Sequence, residues 1–261
     1  MAQLTGVFLS LVLLLSPQLA FACGVIAQAP RLIRASLLAE ADAALTISFL
    51  GHASFLIETP GHVTAVTDYN GVNIPAEPPD IATMNHAHST HYTDHPDPRI
   101  RHVLHGWRDD GGPAHIDLTV GDLHVRNLPT NIRAWGDSGT EYYGNSIFVF
   151  ESAGLCVAHL SHLHHLLTAD DVAELGPLDV VMAPVDGMYT LSHEDMATVL
   201  EQLHPRLVLT MHYFSEQILQ HFLDLERDRY TIVTSKTATT TISRATLPVR
   251  PEILVLPGPY Y

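Results

Sequence analysis

The sequence predicts an α/β protein, one domain from about residue 40 to 245 with two sheets and helices on the outside. Three observations predict it. Short apolar runs with strand-like spacing, punctuated by Gly and Pro, dominate up to about residue 160. Beyond that point, buried strand-like runs alternate with helices that carry cap signals. Hydrophobic residues make up 46% of 261 positions, an ordinary globular composition in a chain long enough for one large domain.

The chain opens "MAQLTGVFLSLVLLLSPQLAFAC". Residues 7–15 are almost wholly apolar, and "AFA" before Cys23 fits cleavage after small residues, although no Lys or Arg precedes the apolar run. The run is too short, and too broken by Ser16-Pro17, for a spanning helix. The expectation is a signal peptide over 1–22 and a periplasmic or secreted protein with no spanning segment in the mature chain. The main alternative is a buried or membrane-anchoring N-terminal helix, and lipid anchoring at Cys23, which Phe21 disfavours, is a lesser one. Residues 23–44 read as an N-terminal arm containing a short helix, "RLIRASLLAEAD". Two cysteines cannot form a disulfide framework. Cys156, in "GLCVAHL", reads as a small core residue, and a bond to Cys23 stays open.

The domain proper is expected over 45–245. Strands are expected at 45–51, 53–59, 63–69 and 79–85, the last running straight into "HAHSTHYTDH". Residues 86–115 hold Gly, Pro and Asp with little periodicity, which predicts a long functional loop. Alternation returns in "HIDLTVGDLHVRNLP", and "NSIFVFESAGLCVAHL" reads as a hairpin. Gly136-Asp137-Ser138-Gly139 reads as a turn. Thr168-x-x-Asp171 caps a helix that Gly176 ends, Ser192-x-x-Asp195 caps another that Pro205 closes, and Ser215 opens a third. The buried strands "LDVVMAPV" and "RLVLTMH" lie between them. Residues 246–261 read as a C-terminal tail.

Lys and Arg number 13 against 28 Asp and Glu, a formal charge of −15, with no basic patch. Nucleic acid and anionic membrane surfaces are therefore unsuited partners, and a small-molecule substrate is the expectation. The chain has 18 histidines. His86, His88 and His91 follow a predicted buried strand; His159, His162, His164 and His165 follow another; His212 ends a third. Open α/β proteins place ligand sites at such strand ends. Neutral imidazole is a common ligand for zinc and similar ions. Any one histidine there could be a plain polar cap, but three strand ends that each deliver histidine point to one convergent metal site.

These segments resemble the metallo-β-lactamase fold superfamily, in particular the branch similar to ascorbate-phosphate lactonase and the phospholipase D of N-acyl ethanolamine phospholipids. The resemblance rests on "FLGHASFLIET", "PPDIATMNHAHSTH", "GNSIFVFESAGLCVAHLSH", "LGPLDVVMAPVDG" and "LHPRLVLTMHY", in order over about 45–215. It implies a four-layer αββα sandwich and two metals bridged by an aspartate and a hydroxide. The chain departs from that pattern at three places. Thr90 stands where the family motif has aspartate. Ser161-His162 replaces the Gly-Asp turn. Asn131 aligns where a third histidine for the first metal would be. Asp68 lies where the family often has an aspartate and is expected to make structural hydrogen bonds; His52 is expected to support the ligands or pack near Gly51. The pair Asp94-His95 lacks the neighbouring histidines a shifted site would need.

The implied ligands are His91, His162 and His212, or a mixture with His86 and His88; Thr90, Asn131 and His165 lie near. One zinc is expected, with a second metal, iron or copper left open. The expected activity is an exported metal-dependent hydrolase using a metal-bound hydroxide on an ester, lactone or phosphodiester. The alternative is a catalytically altered metal- or ligand-binding protein on the same fold.

Overall fold

The computed structural model describes residues 43–134 and 139–259. The expected signal peptide, Cys23, most of the N-terminal arm and residues 136–138 of the expected turn lie outside them. The strands are β1 (Ala44–Gly51), β2 (Ser54–Glu58), β3 (Thr64–Val66), β4 (Ile81–Met84), β5 (His102–His105), β6 (Asp117–Val120) and β7 (Leu123–Arg133). They continue with β8 (Thr140–Ser152), β9 (Leu155–His159), β10 (Val180–Pro184), β11 (Leu207–Met211), β12 (Thr231–Thr234), β13 (Thr239–Ser243) and β14 (Glu252–Val255). The helices are α1 (Ala169–Leu175), α2 (His193–Leu203) and α3 (Glu216–Glu226).

Two sheets form. The first has the order β13-β1-β2-β3-β4-β5, and the second β12-β14-β11-β10-β9-β8-β7-β6. In the first, β1 alternates strictly between buried and half-buried residues, as a strand with only one face in the core should. In the second, β9, β10 and β11 are parallel and buried at every residue, because the other sheet covers one face and helices cover the other.

Leu45, Ile47, Phe55, Phe148, Phe150, Val157, Met182 and Leu209 meet between the sheets. Phe55, Phe148 and Phe150 are fully buried there; truncating any one to alanine should cost about 3–5 kcal/mol. The outer face of the second sheet packs Val181 and Ala183 against Leu175, Met196, Leu200 and Phe222 of the helices. Over the outer face of the first sheet, Tyr69 and Ile100 from connecting segments pack with Val66, Ala82 and Met84, so among the described residues loops build that layer.

The helix ends follow from their caps. The Thr168 hydroxyl accepts from Asp171 N while the Asp171 carboxylate accepts from Thr168 N; Ser192 and Ser215 accept from Asp195 N and Ile218 N. Within residues 86–115, expected as loop, β5 pairs in parallel with β4 over four residues. It is a half-exposed edge strand, too short to show a period. The stretch expected as a C-terminal tail supplies β14, which inserts between β11 and β12. Cys156 is buried in β9 and is not a free thiol.

Gly106, at the end of β5, marks a close approach. A Cβ there would stand 2.3 Å from Asn85 Oδ1. The short side lets Asn85 reach the Ser146 backbone N–H at 2.7 Å and donate to Asp68 at 3.0 Å.

Candidate metal centre

Five strand ends meet at one edge of the sandwich. The segment after β3 carries Asp68, that after β4 carries His88 and His91, and that after β9 carries Ser161 and His162. Asp186 follows β10 and His212 follows β11. Left-handed backbone lets several of these side chains turn inward: His52, Asp68, Ser161 and His212 have φ of 53°, 42°, 49° and 52°. Such conformations are uncommon for residues other than glycine and concentrate at functional sites. The His52 carbonyl accepts from His212 N at 2.7 Å, tying the two sheets together beside the site.

His88, His91, His162 and His212 bring one ring nitrogen each to within 4.8 Å of one another. Three of the four are buried, and His88 is half-buried. Nε2 of His88 lies 2.8 Å from Nε2 of His162, and Nε2 of His91 lies 3.2 Å from Nε2 of His212. The His52 ring packs on His212 with centroids 4.3 Å apart.

Two carboxylates fix the protons. His91 Nδ1 lies 2.6 Å from Asp68 Oδ2, and His212 Nδ1 lies 3.2 Å from Asp186 Oδ1. A carboxylate accepts, so each Nδ1 carries a hydrogen, and with both rings in the neutral form that binds metal each Nε2 presents a lone pair. The His91–His212 contact at 3.2 Å is then acceptor against acceptor. A cation between them turns that repulsion into coordination. A tetrahedral ion held at zinc–nitrogen distances requires nitrogens about 3.3 Å apart, which both close pairs approach. The donor set therefore fits a metal ion.

Electrostatics agree. Burial, reinforced by the neighbouring imidazoles, pulls His91 and His162 well below the usual histidine range, and burial lowers His88 as well. These rings are neutral, the form that binds metal. Burial raises the Asp68 carboxyl, partly offset by His159 and by hydrogen bonds from Ser161 and Asn85. Asp186 behaves oppositely. Burial acts against its charge, but the hydrogen bond and charge of His212, with donors from Thr190 and Met188, prevail and hold its carboxyl well below the usual range. Backbone N–H groups of Met188 and Tyr189 donate to the other oxygen, Asp186 Oδ2, at 3.1 and 2.5 Å. His162 has no such carboxylate; its Nδ1 is buried without a hydrogen-bond partner, and its backbone N–H is held by Asn145 Oδ1 at 3.1 Å.

The other sequence-predicted residues go elsewhere. His86 stacks on Trp107, centroids 5.0 Å apart, with Nδ1 3.4 Å from Glu141 Oε1, and is not among the four. The Thr90 carbonyl accepts from Asn70 Nδ2 at 2.9 Å. Asn131 Oδ1 accepts from Tyr143 N at 3.1 Å, and His165 Nε2 accepts from Asn131 N at 3.3 Å. Asp94 and His95 are exposed. His159 is buried and bonds the Ala53 carbonyl at 2.8 Å. Sequence reasoning gave Asp186 no role. The signal was present, since Asp186 directly follows the buried run "VVMAPV", but no spacing links it to His212.

The family profile of the beta-lactamase superfamily domain matches residues 46–212. A UPF0173 metal-dependent hydrolase of Pyrococcus furiosus is 25% identical over 191 residues, 64% of this chain and 84% of its own. One from Carboxydothermus hydrogenoformans is also 25% identical over 191 residues, 65% of this chain and 84% of its own. Among solved structures, a candidate Zn-dependent hydrolase of the metallo-beta-lactamase superfamily from Thermotoga maritima superimposes with a TM-score of 0.58. It is 27% identical and covers 82% of this chain and 99% of its own. A diiron beta-hydroxylase from Streptomyces venezuelae, 12% identical with a TM-score of 0.53, covers 77% of this chain and 54% of its own, a likeness of fold alone.

Proposed function

Because the chain belongs to the beta-lactamase superfamily domain family, its profile match spanning residues 46–212, we propose that it is an exported, zinc-dependent hydrolase of ester, lactone or phosphodiester substrates. The observation that carries the metal reading is the convergence of four ring nitrogens within 4.8 Å of one another, with Nε2 of His91 and His212 facing each other 3.2 Å apart and a carboxylate behind each ring. The relatives named as metal-dependent hydrolases support the reaction class.

His88, His91, His162 and His212 would hold the zinc, one ion per chain, since all four donors converge on one point. When bound, zinc supplies Lewis acidity toward a carbonyl or phosphoryl oxygen and lowers the pKa of water. The protein's own work is to position and to balance charge. Asp68 and Asp186 keep the Nδ1 protons of His91 and His212 in place and aim both rings inward. Ser161 donates to Asp68 Oδ2 at 2.7 Å and so restrains that carboxylate. Two carboxylates one bond behind the imidazoles match a divalent charge without touching it. Two residues implied for a second metal are engaged elsewhere, Asn131 Oδ1 accepting from Tyr143 N and His86 stacking on Trp107.

Elemental analysis of the purified mature protein, with no metal added, tests this. About one zinc per chain and turnover of a member of an ester, lactone and phosphodiester panel are expected. Iron or copper in place of zinc refutes the metal assignment. No metal, even after zinc is offered, refutes the reading. A second reading has one observation in its favour: among the described residues no carboxylate joins the four-imidazole group to orient water. A chain that holds zinc tightly and hydrolyses nothing on the panel would be a metal- or ligand-binding protein on this fold.

A further inference from the structure

A cleft of about 320 Å³ opens beside the metal centre, between the segment after β4, the end of β5 and the start of β8. It shares its supports with the centre. His86 lines the cleft and His88 belongs to the centre. His86 N donates to the Gly144 carbonyl at 2.9 Å, and the next residue, Asn145, holds the His162 backbone N–H at 3.1 Å.

The lining has a definite chemical character. Tyr142 and Tyr143 stand 68% and 38% exposed, with ring centroids 6.4 Å apart. Side by side, the two exposed rings offer one contiguous aromatic surface to a ligand in the cleft. Trp107 is stacked by His86 and by His105, so the tyrosines offer the open faces. The acids Asp109 and Glu141 join them. Arg108 also lines the cleft, but both its Nε and an Nη bind Asp110, Nε at 2.9 Å, so its charge is matched outside the lining. Gly144 makes room for the acid: a Cβ there would meet Glu141 Oε1 at 3.2 Å and Ile132 Cγ1 at 2.7 Å. Aromatic faces beside carboxylates in a chain of formal charge −15 favour a cation, because the ring quadrupole and the acids act in the same sense.

We propose that this cleft binds the cationic, alkylammonium-bearing end of the substrate. The proposal rests on the hydrolase reading only for what that ammonium group is attached to. The loop bearing His86 and His88 then ties recognition of the cation to placement of the scissile group at the centre.

The test pairs choline with 3,3-dimethylbutan-1-ol, a neutral molecule of the same shape, in NMR titrations of the zinc-loaded protein. Choline should bind at least about tenfold more tightly, and Glu141→Gln and Tyr142→Ala should each reduce that ratio by about three- to tenfold. Both positions are exposed, and unchanged circular dichroism confirms that the variants fold. Equal affinity for the two probes, no binding of either, or a choline preference that survives both substitutions overturns the proposal. The acetate esters of the same two alcohols separate it from the hydrolase reading. If both esters are cleaved equally well, the cation site is wrong and the hydrolase stands. If neither is cleaved, nor any member of the ester, lactone and phosphodiester panel, while choline binds as described, the cleft stands and the hydrolase reading falls.

Discussion

Replacing Asp68 by asparagine tests how the centre is built. The carboxylate is fully buried and accepts from His91 Nδ1 at 2.6 Å and Ser161 Oγ at 2.7 Å through Oδ2, and from Asn85 Nδ2 at 3.0 Å through Oδ1. Asparagine keeps one acceptor. If its oxygen stays toward His91 and Ser161, its new NH₂ faces the Asn85 NH₂ and a buried donor goes unsatisfied, at about 1–3 kcal/mol. Removing a buried charge that is costly enough to raise its own pKa offsets part of this. The metal-free variant should therefore melt about 2–8 °C lower, at 2–4 °C per kcal/mol for a chain of this size. Metal affinity should drop more clearly. His91 loses the charge that orders its ring, and loss of such a partner weakens binding about 10–100-fold. Calorimetry gives the first quantity, and competition with a chromophoric chelator the second. Ser161→Ala, which removes one donor and keeps the carboxylate, should change affinity far less. Zinc affinity of D68N within threefold of wild type would refute the view that Asp68 aims His91 at a metal.

Other expectations can be checked with the same preparations. His162→Ala should lower zinc affinity at least tenfold, while His86→Ala should leave metal content unchanged; the reverse outcome would relocate the site. Stability of the metal-free protein should fall as pH drops below about 6.5. The folded pKa values of His91 and His162 lie below their unfolded values, so the unfolded chain takes up protons first. Each contributes at most about 1.4 kcal/mol per pH unit within that window and nothing above it, and Asp68, whose carboxyl is raised, works in the opposite sense. A melting temperature flat from pH 7.5 to 5 would contradict this. Gly106→Ala places a methyl 2.3 Å from Asn85 Oδ1 and should cost about 1–3 kcal/mol in thermal unfolding.

The parts of the fold that were legible in sequence are those whose signals are local. Thr168, Ser192 and Ser215 announce their helices because a cap is a contact over three residues. β1 shows its alternation because only one of its faces enters the core. β5, β13 and β14 were hidden for different reasons. β5 is a four-residue edge strand, β13 is a threonine-rich strand with little apolar content, and β14 sits among Pro248, Pro251 and Pro257. Each is held by its sheet neighbours more than by its own pattern. In the site, convergence of strand ends made His88, His91, His162 and His212 visible. Spacing could not separate His86 from His88, since the decision lies with Trp107, twenty-one positions after His86. Asp186 escaped notice because its hydrogen bond to His212 spans 26 residues.

The four imidazoles divide evenly between the two sheets. His88 and His91 hang from β4 in the first, and His162 and His212 from β9 and β11 in the second. An ion held by all four would be a cross-brace, for the sheets could not part at that edge without breaking half of its bonds. Its binding energy would then resist one particular motion, the hinging open of the sandwich. At a free concentration a thousandfold above its dissociation constant that resistance is worth about 4 kcal/mol, a sizeable fraction of what holds a domain together. The same ion that would act on a substrate would thus set how far the two halves of the molecule breathe, and metal supply would govern the lifetime of the fold as well as its chemistry.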